Sequence, residues 1–282
     1  MTEHMGTIPF TYGSETFHTW YKIGSRTTTC SRTSQSHGIP VVFYDQIGIG
    51  ASAHPTGRPA HPGFWNMELF MDELDNLLAR LGVHDDFDLL GHSWGCMLAV
   101  QYASSRHPEG MRHLVLADGS PSMELWARGT DALRVQLPVQ VQATLKEHEL
   151  HGTTDSQEYQ DAVMVFYKKH VCNMDPWPKE LLQSFEAMDK DPTVYSTMIG
   201  PSDIHIVGTL RTWSCVDQLH NSPCPTLLVN SPMDEAQDVN FVPMFEKINC
   251  VKWVQFVGST HLAFYEEPER YFAESSSFLR EE

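Results

Sequence analysis

The sequence predicts an α/β chain: a mostly parallel sheet with helices on both faces, interrupted by an inserted helical segment. Three observations carry this. Short apolar runs at residues 41–44, 87–90, 113–117, 225–230 and 251–257 alternate with helical patterns, the signature of strands joined by crossover helices. Residues 121–214 break that alternation with polar, Met- and Gln-containing helical stretches. The chain has 282 residues, 41% hydrophobic and 20% charged, enough to bury a large core and accommodate an insertion within one α/β unit.

The elements follow in order. Phe17, Thr19, Tyr21 and Ile23 alternate with His18, Trp20 and Lys22 after a Tyr12-Gly13-Ser14 turn, which predicts an antiparallel hairpin at a sheet edge. Residues 41–44 are continuously apolar and end at Asp45-Gln46-Ile47-Gly48-Ile49-Gly50, so a buried parallel strand leading into a loop at its carboxyl end is expected. Met67, Phe70, Leu74, Leu77, Leu78 and Leu81 recur at helical spacing and stop at Gly82, a C-cap residue. A strand at 87–90 and a helix at 94–103 come next, closed by His107-Pro108, then a strand at 113–117. Gly152, Pro176, Pro178 and Pro192 punctuate the helical insertion. The core pattern resumes with a strand at 225–230, a helix near 242–248, a strand at 251–257 and a terminal helix from Pro268. The expected organisation is a first core part at 1–120, a helical cap at 121–214 and a second core part at 215–282.

Composition narrows the function classes. Nineteen Lys and Arg against 36 Asp and Glu give a net charge of −17, which repels phosphate backbones and anionic lipid. Neither nucleic acid nor a membrane surface is an expected partner. Cys30, Cys96, Cys172, Cys215, Cys224 and Cys250 are scattered, with no Cys-x-x-Cys pair, as suits free thiols in a reducing compartment. The first ten residues lack a basic region followed by an apolar stretch, and no apolar run approaches membrane-spanning length. A cytoplasmic location is the expectation. No His or carboxylate cluster has metal-ligand spacing, so no metal and no cofactor is expected.

The chemistry concentrates at Gly91-His92-Ser93-Trp94-Gly95, where an apolar strand run turns into a small-residue helix. Gly-x-Ser-x-Gly in that context places Ser93 on a nucleophile elbow, and the turn demands small residues two positions either side. A serine hydroxyl is a weak nucleophile at neutral pH, and needs an imidazole to take its proton and a carboxylate to orient that imidazole. In this architecture the order is serine, acid, histidine. Asp234 lies just after the strand at 225–230, with Glu235 and Asp238 as competitors, and His261 lies just after the strand at 251–257. Both fall where the sheet's carboxyl edge presents them to Ser93.

These residues give the chain its resemblance to the proline iminopeptidase branch of the α/β-hydrolase fold, which includes related L-amino acid amidases. The motifs are Thr19-Trp20-Tyr21, Gly38-Ile39-Pro40-Val41-Val42-Phe43-Tyr44-Asp45-Gln46-Ile47-Gly48, Gly91-His92-Ser93-Trp94-Gly95, Gly208-Thr209-Leu210-Arg211-Thr212-Trp213, Asp234-Glu235-Ala236 and Ser259-Thr260-His261. The resemblance implies a serine aminopeptidase or amidase acting on a small-molecule or short-peptide substrate with a free amine. It implies that Glu235 binds that amine and that Asp203 stands where the family carries a second acid. It also implies that the backbone N–H of Trp94 helps hold the oxyanion. A small-metabolite esterase and a catalytically silent binder are the rival readings, whereas an epoxide hydrolase or dehalogenase would carry an aspartate at position 93.

One departure matters. Where the family has an apolar strand and a His-Gly-Gly-Pro-Gly loop, residues 23–38 are short and polar. The missing loop normally supplies a second oxyanion donor, and loss of one such donor costs about 10²–10³ in kcat. A missing interior strand would also leave a gap in the sheet and unpaired backbone groups. Either a segment has dropped from the coding sequence or the chain has diverged and lost or altered its activity. The persistence of Ser93, Asp234 and His261 favours the first. A smaller departure is Cys96 in place of a glycine, small enough to begin the helix.

Overall fold

A computed structural model describes residues 4–24, 38–55 and 63–281. Strands β1 (His4–Tyr12) and β2 (Glu15–Ile23) form the expected hairpin, turning at Gly13 with φ +61° and pairing Phe10 with Phe17. The alternation works as anticipated: Phe17, Thr19 and Tyr21 are buried. Strand β3 (Val42–Asp45) runs antiparallel to β2, with Tyr44 opposite Tyr21. This corrects the expectation of a buried parallel strand. All four β3 residues are half-buried, because no described strand covers the edge away from β2.

Helix α1 (Met67–Leu81) is capped by Asn66, whose side chain accepts from Leu69 N at 3.0 Å, and ends at Gly82 in the left-handed conformation (φ +69°). Its Met67, Phe70, Leu74, Leu77 and Leu78 face the core. Then follow β4 (Phe87–His92), α2 (Trp94–Arg106) and β5 (Met111–Ala117). Five α-helices lie between β5 and the next strand: α3 (Met123–Arg134), α4 (Val139–His151), α5 (Gln157–His170), α6 (Lys179–Lys190) and α7 (Thr193–Met198). They build a separate small core from Leu133, Leu145, Tyr159, Val163, Phe166 and Ile204. The chain closes with β6 (Thr226–Asn230), α8 (Asp238–Lys247), β7 (Val251–Gln255), α9 (Ala263–Glu266) and α10 (Pro268–Phe278). Helix α8 begins four residues before the expected helix near 242–248. Strand β7 stops two residues short of the expected end, where Val257 turns to solvent.

Strands β4, β5, β6 and β7 are parallel and adjacent in that order. Their side-chain alternation sorts the helices onto two faces. Leu114, Leu116 and Leu228 join the core shared with α1 and α2, while Val115, Ala117, Leu227 and Val229 pack with Tyr271, Phe272 and Phe278 of α10. Among the described residues the three-stranded antiparallel sheet β1–β3 is not hydrogen-bonded to this parallel sheet. Between β3 and β4 lies a cleft of about 230 Å³ bordered by Tyr44, Gln46, Leu74, Leu89, Leu90 and Leu98. On the β4 side Leu90 is 41% exposed. Residues 25–37, which make up most of the departing segment, lie outside the described residues; among the described residues β3 and β4 are not paired.

Among the described residues no helix is long and apolar enough to cross a membrane, and no group of three or more His, Cys, Asp or Glu is arranged to hold a metal ion. Cys96, Cys172, Cys215, Cys224 and Cys250 are free thiols; Cys30 lies outside the described residues.

Candidate active site

Ser93, Trp94, Asp234, Glu235 and His261 follow the carboxyl ends of β4, β6 and β7, and Asp203 comes from the helical insertion. Ser93 links β4 directly to α2 with φ +56° and ψ −118°, a conformation that costs a non-glycine residue of order 1–3 kcal/mol and marks the elbow. Its N–H donates to Ala117 O at 2.9 Å, and its carbonyl accepts from Cys96 N and Met97 N at 3.0 and 3.2 Å. A Cβ at Gly91 would lie 2.1 Å from Gly95 O, so the turn closes only over glycine there. At Gly95 a Cβ would meet nothing within 4 Å, so the expected steric constraint falls on Gly91 alone. Cys96 is fully buried against Gly119, whose own absent side chain makes room for it. Trp94 opens α2, where backbone N–H groups have no intrahelical partner, and its indole donates to Gln46 Oε1 at 2.9 Å.

Asp234 and His261 meet. Asp234 is fully buried, and its Oδ1 accepts from His261 Nδ1 at 2.7 Å and from Ala236 N at 2.8 Å. The end of α5 clamps both loops: His170 Nδ1 donates to Met233 O at 2.8 Å, His170 O accepts from His261 N at 3.2 Å, and Val171 O accepts from Thr260 Oγ1 at 3.0 Å. The His261 ring lies 4.7 Å from that of His92 and 6.2 Å from that of Trp126, centroid to centroid. His92 Nε2 donates to the His261 carbonyl at 2.8 Å, which fixes the proton on that nitrogen.

The free side of His261 faces acids. Its Nε2 is 3.7 Å from Glu235 Oε1, and Glu235 is 2% exposed with Oε2 unpartnered. Asp203 lies five residues after α7, and its Oδ2 accepts from Tyr167 Oη at 3.2 Å. Among the described residues Ser93 Oγ makes no hydrogen bond to His261. Ser93 instead lines a cavity of about 810 Å³ together with Trp94, Met97, Met123, Trp126, Tyr195 and Asp203. The structure therefore gathers Asp234, His261, Glu235 and Asp203 into one electrostatic cluster, and places Ser93 and Asp203 on one cavity wall.

Burial alone would depress the His261 imidazole. The charge of Asp234 and its hydrogen bond, followed by the charges of Glu235 and Asp203, outweigh that and raise it to about 9. Glu235 moves well above the carboxylate range through burial, then the charge of Asp203, with His261 opposing. Burial also raises Asp203, against hydrogen bonds from Tyr195 and Tyr167 and the charge of His261. His92 falls to about 3 by burial and by the neighbouring His261 charge, so it stays neutral. Tyr167, Tyr195, Trp126, His170 and His92 all shape this site, and none was legible as a site residue. Four of the five belong to the helical insertion, whose packing over the sheet edge leaves no short-range pattern.

The family model described as "Alpha/beta hydrolase family" matches residues 13–274. A proline iminopeptidase of Heyndrickxia coagulans is 32% identical over 240 residues, covering 85% of this chain and 81% of that protein. One from Saccharolobus solfataricus is 31% identical, covering 86% and 77%. Among solved structures, VinJ superposes with a TM-score of 0.92 at 36% identity, covering 98% of each chain. The proline iminopeptidase of Mycobacterium smegmatis gives 0.85 at 32%, covering 97% of each. With the elbow, the parallel sheet and these relatives together, the chain belongs to the α/β hydrolase family and is a relative of its proline iminopeptidases.

Proposed function

We propose that this hydrolase is a serine aminopeptidase or amidase that releases an N-terminal residue, proline among them, from a short peptide or amide with a free amine. The observation that carries the reading is the hydrogen-bonded Asp234–His261 pair flanked on its open side by Glu235 and by Asp203 on the Ser93 cavity. His261 Nε2 takes the proton of Ser93 as the hydroxyl attacks the scissile carbonyl, and Asp234 holds the imidazolium that forms. The Trp94 N–H receives the developing oxyanion. His261 then returns the proton to the departing amine, and water releases the acyl group by the same route.

Glu235 and Asp203 are the acceptors for the substrate's ammonium. Their roles extend beyond binding. Asp234 first, and then Glu235 and Asp203, lift His261 to about 9, which keeps it protonated and therefore unable to act as a base near neutral pH. An ammonium docked between Glu235 and Asp203 offsets their charge and lowers His261 toward the working range, so a free amine both anchors the substrate and releases the base. The helical insertion at 121–214 serves as a cap that closes the cavity to long chains.

Chromogenic arylamides of proline and alanine test this against their N-acetylated forms. Free-amine substrates should turn over at least about a hundredfold faster, the scale of one lost charged contact of about 3 kcal/mol. Equal turnover of free and blocked substrates would remove the amine pocket from the account. A catalytically weakened binder is the second reading, favoured by the lack of pairing between β3 and β4 among the described residues.

A further inference from the structure

A buried carboxyl group that the mechanism above leaves unused lies behind the acid–histidine pair. Asp118 follows β5 directly, in the left-handed region at φ +53°, and is fully buried. Its N–H donates to Val229 O at 2.9 Å, which pins it between β5 and β6 at the same sheet edge as Ser93 and Asp234. Neither of its side-chain oxygens has a donor. Asp234 shows the complementary defect: Oδ1 takes the His261 and Ala236 donors, while Oδ2 is buried with none.

We propose that Asp118 is a positioning residue, held as a neutral carboxylic acid whose O–H donates to Asp234 Oδ2. One proton pairs two otherwise orphaned buried oxygens, one on Asp118 and Asp234 Oδ2, and leaves the remaining Asp118 oxygen as an uncharged carbonyl, which is less costly to bury than a carboxylate. The proton belongs on Asp118 because Asp234 already receives two N–H donors that stabilise its anion, and Asp118 receives none. The groups facing Asp118 agree. Asp234 lies within hydrogen-bonding reach of its carboxyl and Glu266 contributes a further negative charge, while the buried Cys96 thiol is a neutral neighbour. His92 Nε2 is 3.7 Å from Asp118 Oδ2 but commits its proton to His261 O. Burial first, then the charge of Asp234 and its hydrogen bond, push the Asp118 carboxyl well above the ordinary range. The pair then carries one negative charge, and Asp234 is fixed from both sides: His261 on Oδ1, Asp118 on Oδ2.

This inference rests on the Ser93–His261–Asp234 reading, and two measurements on the full chain separate the two. Infrared difference spectra of wild type minus Asp118→Asn at neutral pH should contain the C=O stretch of a protonated carboxylic acid. Its absence overturns the proposal whether or not the protein turns over substrate. In arylamide hydrolysis, Asp118→Ala should lower kcat by about tenfold to a hundredfold with KM little changed, the effect of stripping a buried acceptor of its donor. Asp118→Asn restores a donor and tolerates the left-handed backbone, so it should recover most of that loss. Equal impairment in both variants, or none in Asp118→Ala, would show that the group fills space only and refutes the role. Total inactivity of the wild type would strike the triad reading alone, leaving the infrared result to decide on Asp118.

Discussion

Replacing Glu235 by glutamine isolates the electrostatic link between the amine pocket and the base. Glu235 Oε1 lies 3.7 Å from His261 Nε2, with both side chains almost fully buried. At that distance a unit charge is worth about 1 kcal/mol in a water-like medium and about 4 kcal/mol at the effective dielectric of a protein site. One pH unit corresponds to about 1.4 kcal/mol, so the imidazole loses about one to three units of the elevation that holds it near 9. Burial also pushes Glu235 upward and so weakens the charge it presents to His261, and the lower half of that range is expected. The assay is the rate at which a neutral fluorophosphonate labels Ser93 as a function of pH, which reports the free protein without a substrate amine. In wild type the rate should rise as pH passes through about 9, because His261 must lose its proton to act as a base. In Glu235→Gln the midpoint should fall by one unit or more. An unchanged midpoint, or one displaced upward, would refute the claim that this acid controls the base.

Further outcomes follow from other parts of the molecule. Ser93→Ala should abolish labelling and reduce arylamide turnover by about 10⁵-fold or more, the scale seen when a triad nucleophile is removed. Gly91→Ala drives a Cβ to 2.1 Å from Gly95 O and should destabilise the fold by about 2 kcal/mol or more, read from urea unfolding. Glu73 is fully buried, and burial lifts it from 4.5 to about 7 despite bonds from Thr19 and Ile47 N. The folded state thus holds this proton more tightly than the unfolded chain, and stability falls as pH rises from about 4.5 to about 7. Glu73→Gln should gain on wild type by up to about 3 kcal/mol between pH 4.5 and pH 8; a constant difference across that window would contradict the assignment. In hydrogen exchange, the β4 amides that point away from β5 should lack protection while those bonded to β5 are slow. Protection of every β4 amide would contradict the open edge.

The parts of this molecule that were legible in the sequence are those set by local rules. Gly82 and the apolar spacing from Met67 fixed α1, strand-like runs fixed β4 to β7, and Gly91 with Ser93 fixed the elbow, because each depends on backbone geometry within a few residues. Asp234 and His261 were legible through chain order at the ends of consecutive strands, and they do meet. Direction was harder. Residues 41–44 are apolar enough for a buried parallel strand, yet β3 runs antiparallel and half-buried, since the neighbour that would cover it is a non-local partner that no local pattern encodes. Tyr167 and His170 from α5 and Asp118 after β5 escaped for the same reason: their contacts to Asp203, Met233 and Asp234 cross large sequence separations. Asp118 carried one faint signal, an acidic residue ending an otherwise fully apolar strand run at Leu114-Val115-Leu116-Ala117.

The most direct test of the central claim is intact-mass analysis after fluorophosphonate treatment, with peptide mapping of the adduct. A single adduct on Ser93, lost in Ser93→Ala and strongly slowed in His261→Ala, is the expected result. A folded protein that takes no adduct, or takes it equally well without His261, would contradict an alcohol activated by that imidazole.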